Sequence, residues 1–150
     1  MSFVLRPAVA ADATRIADVL VSSRRQFLPY APLAHSMAEM QDWVAAVLVP
    51  SGGVTVAMDA SLVVGVVALS QSDGIGWIDQ MYVAPTHVGQ GIGALLLDHA
   101  MAVLPSRVRL HTFQQNQGAR RFYEWRGFRA VEFTDGSANE ERCPDVLYER

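Results

Sequence analysis

Three glycines at alternate positions, Gly89, Gly91 and Gly93, separate a predicted strand from a predicted helix. The strand runs from about Gly76 to Val83, and the strongly apolar helix from about Ile92 to Leu104. Glycine lets a backbone adopt positive φ and approach a ligand closely. Because the first N–H groups of a helix have no internal partner, they attract an anion, and a phosphate suits them best. The segment predicts a strand–loop–helix unit with a phosphate-binding loop; a tight turn that only packs the helix on the strand is the alternative.

The other elements follow from hydrophobic periodicity and from the positions of proline and glycine. Further strands are predicted at about Phe3–Arg6, Val54–Met58, Leu62–Leu69, Arg107–Phe113, Phe128–Thr134 and Val146–Glu149. Further helices are predicted at about Asp12–Phe27, from Ser36 to just before Pro50, and at Asn116–Arg126. The order β-α-α-β-β-β-α-β-α-β-β contains three consecutive strands. It predicts an α/β (α+β) fold with a mixed, mostly antiparallel seven-stranded sheet flanked by about four helices, in a single domain over residues 1–150.

The charged residues and the single cysteine exclude several classes of partner. All twelve basic residues are arginine and the net charge is −3, so no basic field exists for nucleic acid or an anionic membrane. The absence of lysine excludes Schiff-base chemistry. Cys143 alone can form neither an internal disulfide nor a multi-cysteine metal site, so we expect no metal. No signal peptide and no long apolar run is evident, and we expect a cytoplasmic protein.

Two known phosphate-binding loops compare poorly with the glycine-rich segment. Gly89, Gly91 and Ala94 formally match the dinucleotide fingerprint, which expects an acid about 20 residues further on. That region holds Leu110–Gln114, which contains no acid, and too little chain follows for further parallel βαβ units. A nucleotide-hydrolysing P-loop fails because no Lys-Ser/Thr pair follows the glycines.

Two segments resemble the motifs of the GNAT superfamily of acetyl-CoA-dependent N-acetyltransferases. Ile78–Pro85 followed by Val88–Leu96 resembles the pyrophosphate motif, Gln/Arg-x-x-Gly-x-Gly/Ala, with Val88 in place of the first Gln or Arg. Asn116–Phe128 resembles the N-x-x-A-x-x-F-Y-x-x-x-G-F segment. The order of elements also matches along essentially the whole chain. An N-E-E…P-D pattern near the C-terminus is similar to that of bacterial members.

The resemblance implies that acetyl-CoA is the co-substrate and that two central strands splay apart to admit it. Backbone groups near Met81 and Val83 are expected to pair with the pantetheine arm, and Asn116 to lie close to it. The pyrophosphate is expected on the loop residues Val88, Gly89, Gln90, Gly91, Ile92, Gly93 and Ala94. Val88 lacks the side-chain contact to the coenzyme that Gln or Arg would make at this position of the motif. Binding is still expected, because this position usually contributes partly through its backbone.

Acetyl transfer needs an acid for the leaving thiolate and a base for the amine. We predict Tyr123 as the acid, with Phe122 filling the core and the Tyr123 hydroxyl aimed at the cleft; a buried tyrosine bonded to a backbone carbonyl is the alternative. We predict Asp79 as the base. Strand alternation places its side chain opposite Ile78 and Gln80, beside the thioester. A base at His111 and a water relay remain open.

Recognition of the acceptor is assigned to two loops. The first is Tyr30–His35, with Tyr30 and His35 as contacts; the second is the acidic segment Thr134–Asp145, with Glu141 as a contact. His111 completes the predicted set. The segment Thr134–Asp145 is equally consistent with a solvated hairpin loop.

The predicted activity is direct transfer of an acetyl group from acetyl-CoA to a primary amine of a small molecule or peptide, through a ternary complex. A ping-pong thioester is not favoured, because no neighbour in sequence activates Cys143. A non-catalytic acyl-CoA-binding or sensing module is the alternative. Homodimers are common among the proteins that the chain resembles, so a homodimer is one expectation for its assembly.

Overall fold

The structure, a computed structural model, describes residues 2–31 and 33–150. Met1 and Pro32, which the sequence analysis placed in the N-terminal segment and in the loop Tyr30–His35, lie outside the described residues. The strands are β1 Val4–Pro7, β2 Val54–Asp59, β3 Leu62–Ser72, β4 Ile75–Val83, β5 Val108–Phe113, β6 Arg129–Phe133 and β7 Asp145–Glu149. The α-helices are α1 Ala13–Phe27, α2 Met37–Trp43, α3 Ile92–Val103 and α4 Gln117–Trp125. Shorter helical turns cover Ala10–Asp12, Val44–Leu48, Val49–Ser51 and Pro85–His87.

A seven-stranded sheet joins the strands in the order β1-β2-β3-β4-β5-β7-β6. Neighbouring strands are antiparallel except β4 and β5, which are parallel. A parallel pair needs a crossover connection, and α3 supplies it. The fold class predicted from the sequence is therefore confirmed. Within the described residues, no helix has the length and apolar character to cross a membrane.

Helices cover both faces of the central strands. The buried valines of β3 are Val63, Val64, Val66 and Val67. Successive strand residues point to opposite faces, so burial of such a run requires cover on both sides. On one face, a side chain at Gly65 would meet Ile92 of α3 at 2.9 Å. On the other, Tyr82 of β4 accepts a hydrogen bond from Arg24 of α1.

The two parallel strands separate part of the way along. β4 and β5 pair only at Gly76↔Val108, Trp77↔Arg109 and Ile78↔Leu110. Beyond Ile78 the edge of β4 that faces β5 makes no strand pairing within the described residues. The predicted splay of the central strands is present, and it leaves backbone N–H and C=O groups of β4 free to pair with an extended ligand.

Two predicted boundaries were wrong. The second helix begins as predicted, with Ser36 and Glu39 forming a capping box, but it widens into a π turn at Val44–Leu48 and tightens to 3₁₀ at Val49–Ser51. Because Pro50 lacks an N–H and its ring crowds the preceding turn, regular α winding stops there. The β3–β4 hairpin is also longer than predicted, because the end of β3 is polar and exposed and carries no apolar alternation.

The start of α1 is held to β1 by a buried carboxylate. Asp12 accepts hydrogen bonds from both terminal nitrogens of Arg6, at 2.8 and 2.9 Å, and from the Val9 N–H at 2.8 Å. The hydrogen bonds from Arg6 lower the pKa of Asp12 despite its burial. A carboxylate with a lowered folded-state pKa stabilises the fold above its unfolded pKa of about 3.9, and this stabilisation is lost as pH falls through the folded value.

We therefore expect Asp12→Asn to reduce the free energy of unfolding by about 1–3 kcal/mol at pH 7. Urea denaturation of both proteins at pH 7 and at pH 3 measures the difference. The difference should shrink at pH 3, because the carboxylate is then mostly protonated in the unfolded wild type and part of the pH-dependent stabilisation is lost. An equal difference at both pH values would contradict the ion pair as its cause.

Candidate active site

The region where β4 and β5 separate forms a cleft of about 110 Å³, which we call the β4–β5 cleft. The predicted site residues that line it are Asp79, Met81, His111, Asn116 and Tyr123. They come from β4 and from the consecutive elements β5 and α4, which follow β4 after the intervening helix α3. The fold thus brings the predicted acid, the predicted base and the residue expected beside pantetheine to one cleft.

A β-bulge at Asp79 explains why the strands part there. Ala68 of β3 faces Gln80, while the next residue, Leu69, faces Ile78, so Asp79 is the extra residue of β4. The alternation predicted for Ile78 and Gln80 was wrong, because the bulge puts these two residues on opposite faces of the sheet. Ile78 is buried whereas Asp79 is exposed, and both line the β4–β5 cleft.

The glycine-rich loop turns twice through the left-handed region. Gly89 has φ +77° and Gly91, the N-cap of α3, has φ +85°. Among the described residues, backbone carbonyls accept no hydrogen bond from the amides of Val88 to Ala94, and the first bonded amide is that of Leu95. A side chain at Gly89 or Gly91 would meet no protein atom within 4 Å. The loop therefore combines backbone amides that have no backbone partner among the described residues with open space beside two of its glycines, at a helix N-terminus where an anion can bind.

His87, the residue before the glycine-rich loop, is held by contacts of both its ring nitrogens. His87 Nε2 lies 2.9 Å from an Asp59 carboxylate oxygen, and Nδ1 lies 2.7 Å from the Thr86 hydroxyl. His87 is thus held against the end of β2. It does not replace the side chain that the motif lacks at Val88, whose own side chain is exposed.

Tyr123 is the buried aromatic residue of α4, with 7 % of its surface exposed, while Phe122 is only partly buried. The prediction that Phe122 would fill the core at this point was therefore wrong. Tyr123 packs against Phe122, Phe128 and Tyr148. Burial, and to a lesser extent the nearby Tyr82, raises its pKa well above the ordinary tyrosine value, so the hydroxyl stays protonated.

Two further predicted residues of the β4–β5 cleft, Asn116 and His111, are oriented by neighbours. Asn116 caps α4, since its Oδ1 accepts the Ala119 N–H at 3.2 Å. The prediction of Asn116 as an N-cap is confirmed, and its amide nitrogen is left for other partners. His111 lies flat on Trp77, with ring centroids 5.6 Å apart and an interplanar angle of 14°.

A second cavity, of about 280 Å³, lies on the α1 side of β4, and we call it the acceptor cavity. Its polar lining includes Arg24, His35, Glu39, Gln80, Tyr82, Glu140 and Glu141. The two predicted recognition loops meet across it. His35 Nε2 contacts the Glu140 carboxylate, and an Arg24 guanidinium nitrogen lies 3.9 Å from Glu141.

A groove of about 490 Å³ runs between the β4–β5 cleft and the acceptor cavity and shares walls with both. Its carboxylates are Asp79, Glu132, Glu141 and Asp145, and its one guanidinium among the described residues is that of Arg24. Carboxylates outnumber cations along this path. An approaching ammonium group is therefore favoured over an anion.

Tyr30, a predicted acceptor contact, packs beside the end of β5. Its ring stands edge-on to Phe113, with centroids 6.4 Å apart, and its hydroxyl is buried without a hydrogen-bond partner among the described residues. Burial raises the pKa of Tyr30. Tyr30 is not in the lining of the β4–β5 cleft, the acceptor cavity or the groove, whereas Phe113, which it contacts, lines the cleft and the groove.

The segment between β6 and β7 is a loop that is held together by internal hydrogen bonds. Asn139 donates to the Cys143 carbonyl at 2.6 Å and accepts the Cys143 N–H at 3.1 Å. Thr134 donates to Asp145 at the base of the loop. These bonds position Glu141, whose side chain is mostly buried.

Gly136 in this loop leaves no room for a side chain. It has φ +83°, and an added Cβ would lie 2.3 Å from the Cys143 carbonyl carbon. We expect Gly136→Ala to reduce the free energy of unfolding by about 2 kcal/mol or more, from strain and displacement of the loop. Gly118→Ala is the control, because it meets nothing within 4 Å in α4 and should stabilise by about 0.5–1 kcal/mol. Chemical denaturation measures both; equal effects would contradict the steric argument.

Gln80 and Tyr82 were missed in the sequence analysis, yet both line the β4–β5 cleft, the acceptor cavity and the groove. They are two residues apart on the strand that leads into the glycine-rich loop. Residues two apart on a strand point to the same face, so this spacing in the sequence indicates that Gln80 and Tyr82 lie together. The sequence does not indicate which face they share, because that depends on the bulge at Asp79.

Solved structures share this fold at low sequence identity. Apo YjaB from Escherichia coli has a TM-score of 0.79 at 20 % identity, over 99 % of this chain and 97 % of that one. PaiA N-acetyltransferase from Thermoplasma acidophilum, in complex with coenzyme A, has a TM-score of 0.76 at 20 % identity, over 100 % and 99 %. Arabidopsis thaliana Naa50, in complex with the bisubstrate analogue CoA-Ac-MVNAL, has a TM-score of 0.73 at 18 % identity, over 100 % and 99 %.

Sequence comparison assigns the family. No curated protein matches the chain. The model of the acetyltransferase (GNAT) family matches residues 17–128, which is most of the chain and includes β4, the glycine-rich loop and α4. The chain therefore belongs to the acetyltransferase (GNAT) family.

Proposed function

We propose that the protein transfers an acetyl group from acetyl-CoA directly to a primary amine of a small molecule or peptide, within a ternary complex. The observation that carries this proposal is the splay of β4 from β5, which leads to a helix N-terminus whose amides have no backbone partner among the described residues. Family membership supports acetyl transfer in general. The amine acceptor and the residue roles below are our proposal.

The coenzyme is proposed to lie along the free edge of β4. The amides of Val88 to Ala94 would hold the pyrophosphate, because no backbone carbonyl among the described residues accepts a hydrogen bond from them. The pantetheine arm would pair with β4 near Met81 and Val83 and pass the Asn116 amide. A solved structure of the same fold, from Thermoplasma acidophilum, is a complex with coenzyme A, which supports coenzyme A as the ligand proposed here.

The reaction balances as one C–N bond formed and one C–S bond broken. An acceptor that arrives as an ammonium ion first gives one proton to Asp79, which is exposed at the bulge, or to His111 beside it through water. A β4 amide holds the oxyanion of the tetrahedral intermediate. Tyr123 protonates the departing thiolate, a role that suits a hydroxyl kept neutral by burial.

The acceptor is proposed to enter through the acceptor cavity and the groove. His35 and Glu141 line that path, and its carboxylates favour a cationic amine. The bisubstrate analogue bound to Arabidopsis thaliana Naa50 joins coenzyme A to a peptide, which supports a peptide amine as one class of acceptor.

A ternary complex is favoured over a ping-pong reaction because Cys143 lacks the properties of a nucleophile. Its thiol is buried, and burial together with Glu141 and Asp145 raises its pKa, which suppresses the thiolate. Among the described residues, no group of three or more His, Cys, Asp and Glu side chains is arranged to hold a metal ion. Homodimeric assembly and a cytoplasmic location remain predictions.

The test measures acetyl-CoA binding and thiol release over a panel of diamines, amino-acid amides and short peptides with free N-termini. Amine-dependent thiol release with formation of the N-acetylated product is the expected result. Tight acetyl-CoA binding with no turnover on any amine would favour the sensing module instead. Binding of a nicotinamide dinucleotide in place of acetyl-CoA would overturn the coenzyme assignment.

A further inference from the structure

A further cavity, of about 300 Å³, adjoins the acceptor cavity, and we call it the arginine pocket. The two share Arg24, Leu33 and His35 as walls. Among the described residues, the arginine pocket is lined by two guanidinium groups, those of Arg24 and Arg25, and by no carboxylate. Most of its other wall is apolar and includes Leu28. Its charge is therefore opposite to that of the groove, where carboxylates outnumber cations.

Arg25 supplies charge that the protein leaves without a partner. It is exposed, and among the described residues its guanidinium forms no ion pair. His35 is already engaged, because its Nε2 contacts Glu140 and its Nδ1 lies 3.8 Å from a Glu39 oxygen. Both carboxylates line the acceptor cavity, and neither is in the lining of the arginine pocket. The positive charge of the pocket therefore comes from its two arginines.

Arg24 joins the arginine pocket to the path of the acceptor. Among the described residues, it alone lines the acceptor cavity, the groove and the arginine pocket. Only 11 % of its side chain is exposed, yet its Nε has no partner and a Glu141 oxygen lies 3.9 Å away, beyond hydrogen-bond distance. Its Nη atoms donate to the Ala31 carbonyl at 3.0 Å and to the Tyr82 hydroxyl at 3.5 Å. Since a guanidinium has five N–H donors, Arg24 keeps Nη hydrogens for a ligand.

We propose that the arginine pocket binds a carboxylate of the acceptor, an inference that rests on the proposed acetyl transfer. The acceptor is then a primary amine with a remote carboxylate, as in a short peptide with a free C-terminus. Its ammonium end meets the carboxylates of the groove, and its carboxylate end meets Arg24 and Arg25. Guanidinium groups match the planar geometry of a carboxylate, which favours this anion.

Matched acid and amide acceptors test the proposal. Dipeptides and tripeptides are assayed at saturating acetyl-CoA, each as the free acid and as its C-terminal amide, so that the reacting amine is the same in both. For the peptide length that spans the two sites, kcat/KM should be at least about tenfold higher for the acid. The difference should lie in KM, with kcat within about twofold, because the carboxylate is remote from the reacting atoms.

Three variants identify the arginine pocket as the source of this preference. Arg25→Glu should raise the KM of the acid at least about tenfold and change the KM of the amide less than about threefold. Arg25→Lys keeps the charge without the planar fork and should retain part of the preference. Arg121→Glu on α4 is the matched control: it makes the same change in net charge at an exposed residue that lines none of these cavities, so the preference should stay within about twofold.

The outcomes separate the carboxylate site from the proposed function. If the wild type binds acetyl-CoA but acetylates no amine, the proposed function fails and the carboxylate site fails with it. If the wild type acetylates amines but shows no preference for the acid over the amide at either length, or if Arg25→Glu keeps that preference, only the carboxylate site is overturned. Thermal unfolding of every variant distinguishes a change in recognition from a loss of fold.

Discussion

Gly91→Val should raise the Kd for acetyl-CoA by at least about 100-fold while the domain stays folded. The pyrophosphate is expected in front of the amides of the glycine-rich loop, and a valine side chain at Gly91 would project into that same open space. Loss of two charge-assisted hydrogen bonds, at about 1.5–3 kcal/mol each, gives a change of this size. Isothermal titration calorimetry with acetyl-CoA and with free coenzyme A measures it.

A matched glycine controls for backbone strain. Gly74 in the β3–β4 hairpin has φ +77°, close to the φ of +85° at Gly91, and it also has no atom within 4 Å of an added Cβ. Gly74→Val should therefore cost similar stability and leave the Kd unchanged. If Gly91→Val binds acetyl-CoA as tightly as the wild type, the phosphate-loop assignment is wrong.

Tyr123→Phe should lower kcat by about 10²–10³-fold and leave coenzyme affinity nearly unchanged. The variant keeps the ring that packs between Phe122 and Phe128 and removes only the hydroxyl. Since that hydroxyl has no hydrogen-bond partner among the described residues, its loss should not reduce the free energy of unfolding. Steady-state kinetics with an accepted amine, together with denaturant unfolding, measure both quantities.

The dependence on leaving group provides a second check of the acid role. An acyl donor whose thiol is more acidic needs less protonation as it departs, so Tyr123→Phe should lose less activity with such a donor than with acetyl-CoA. Unchanged turnover of Tyr123→Phe with acetyl-CoA would show that another group, or water, protonates the thiolate.

Local chemistry explains why the elements were predictable. The capping box of Ser36 and Glu39 and the N-cap at Asn116 form between residues three apart, so neighbouring sequence suffices to recognise them. The central strands follow from runs of apolar and β-branched residues, which pack well on a pleated, buried surface. Short-range signals of this kind do not depend on which elements later become neighbours.

The errors at the candidate site arise where a distant element decides the outcome. The bulge at Asp79 depends on the register of β4 against β3, so simple alternation misplaced Ile78 and Gln80. Phe122 and Tyr123 are adjacent aromatic residues, and the packing of α4 against Phe128 and Tyr148 decides that Tyr123 is the buried one. Intrinsic propensities cannot distinguish these choices.

The amino-acid sequence by itself determined the order of elements, the positive-φ positions of the glycine-rich loop and the family motifs, because each depends on residues close together in the chain. Only the tertiary structure decided where β4 leaves β5, which side chains line both the β4–β5 cleft and the acceptor cavity, and that His35 and Glu140 meet across the acceptor cavity. The physical reason is that strand register, burial and long-range contacts are properties of paired and packed elements, which no single segment contains.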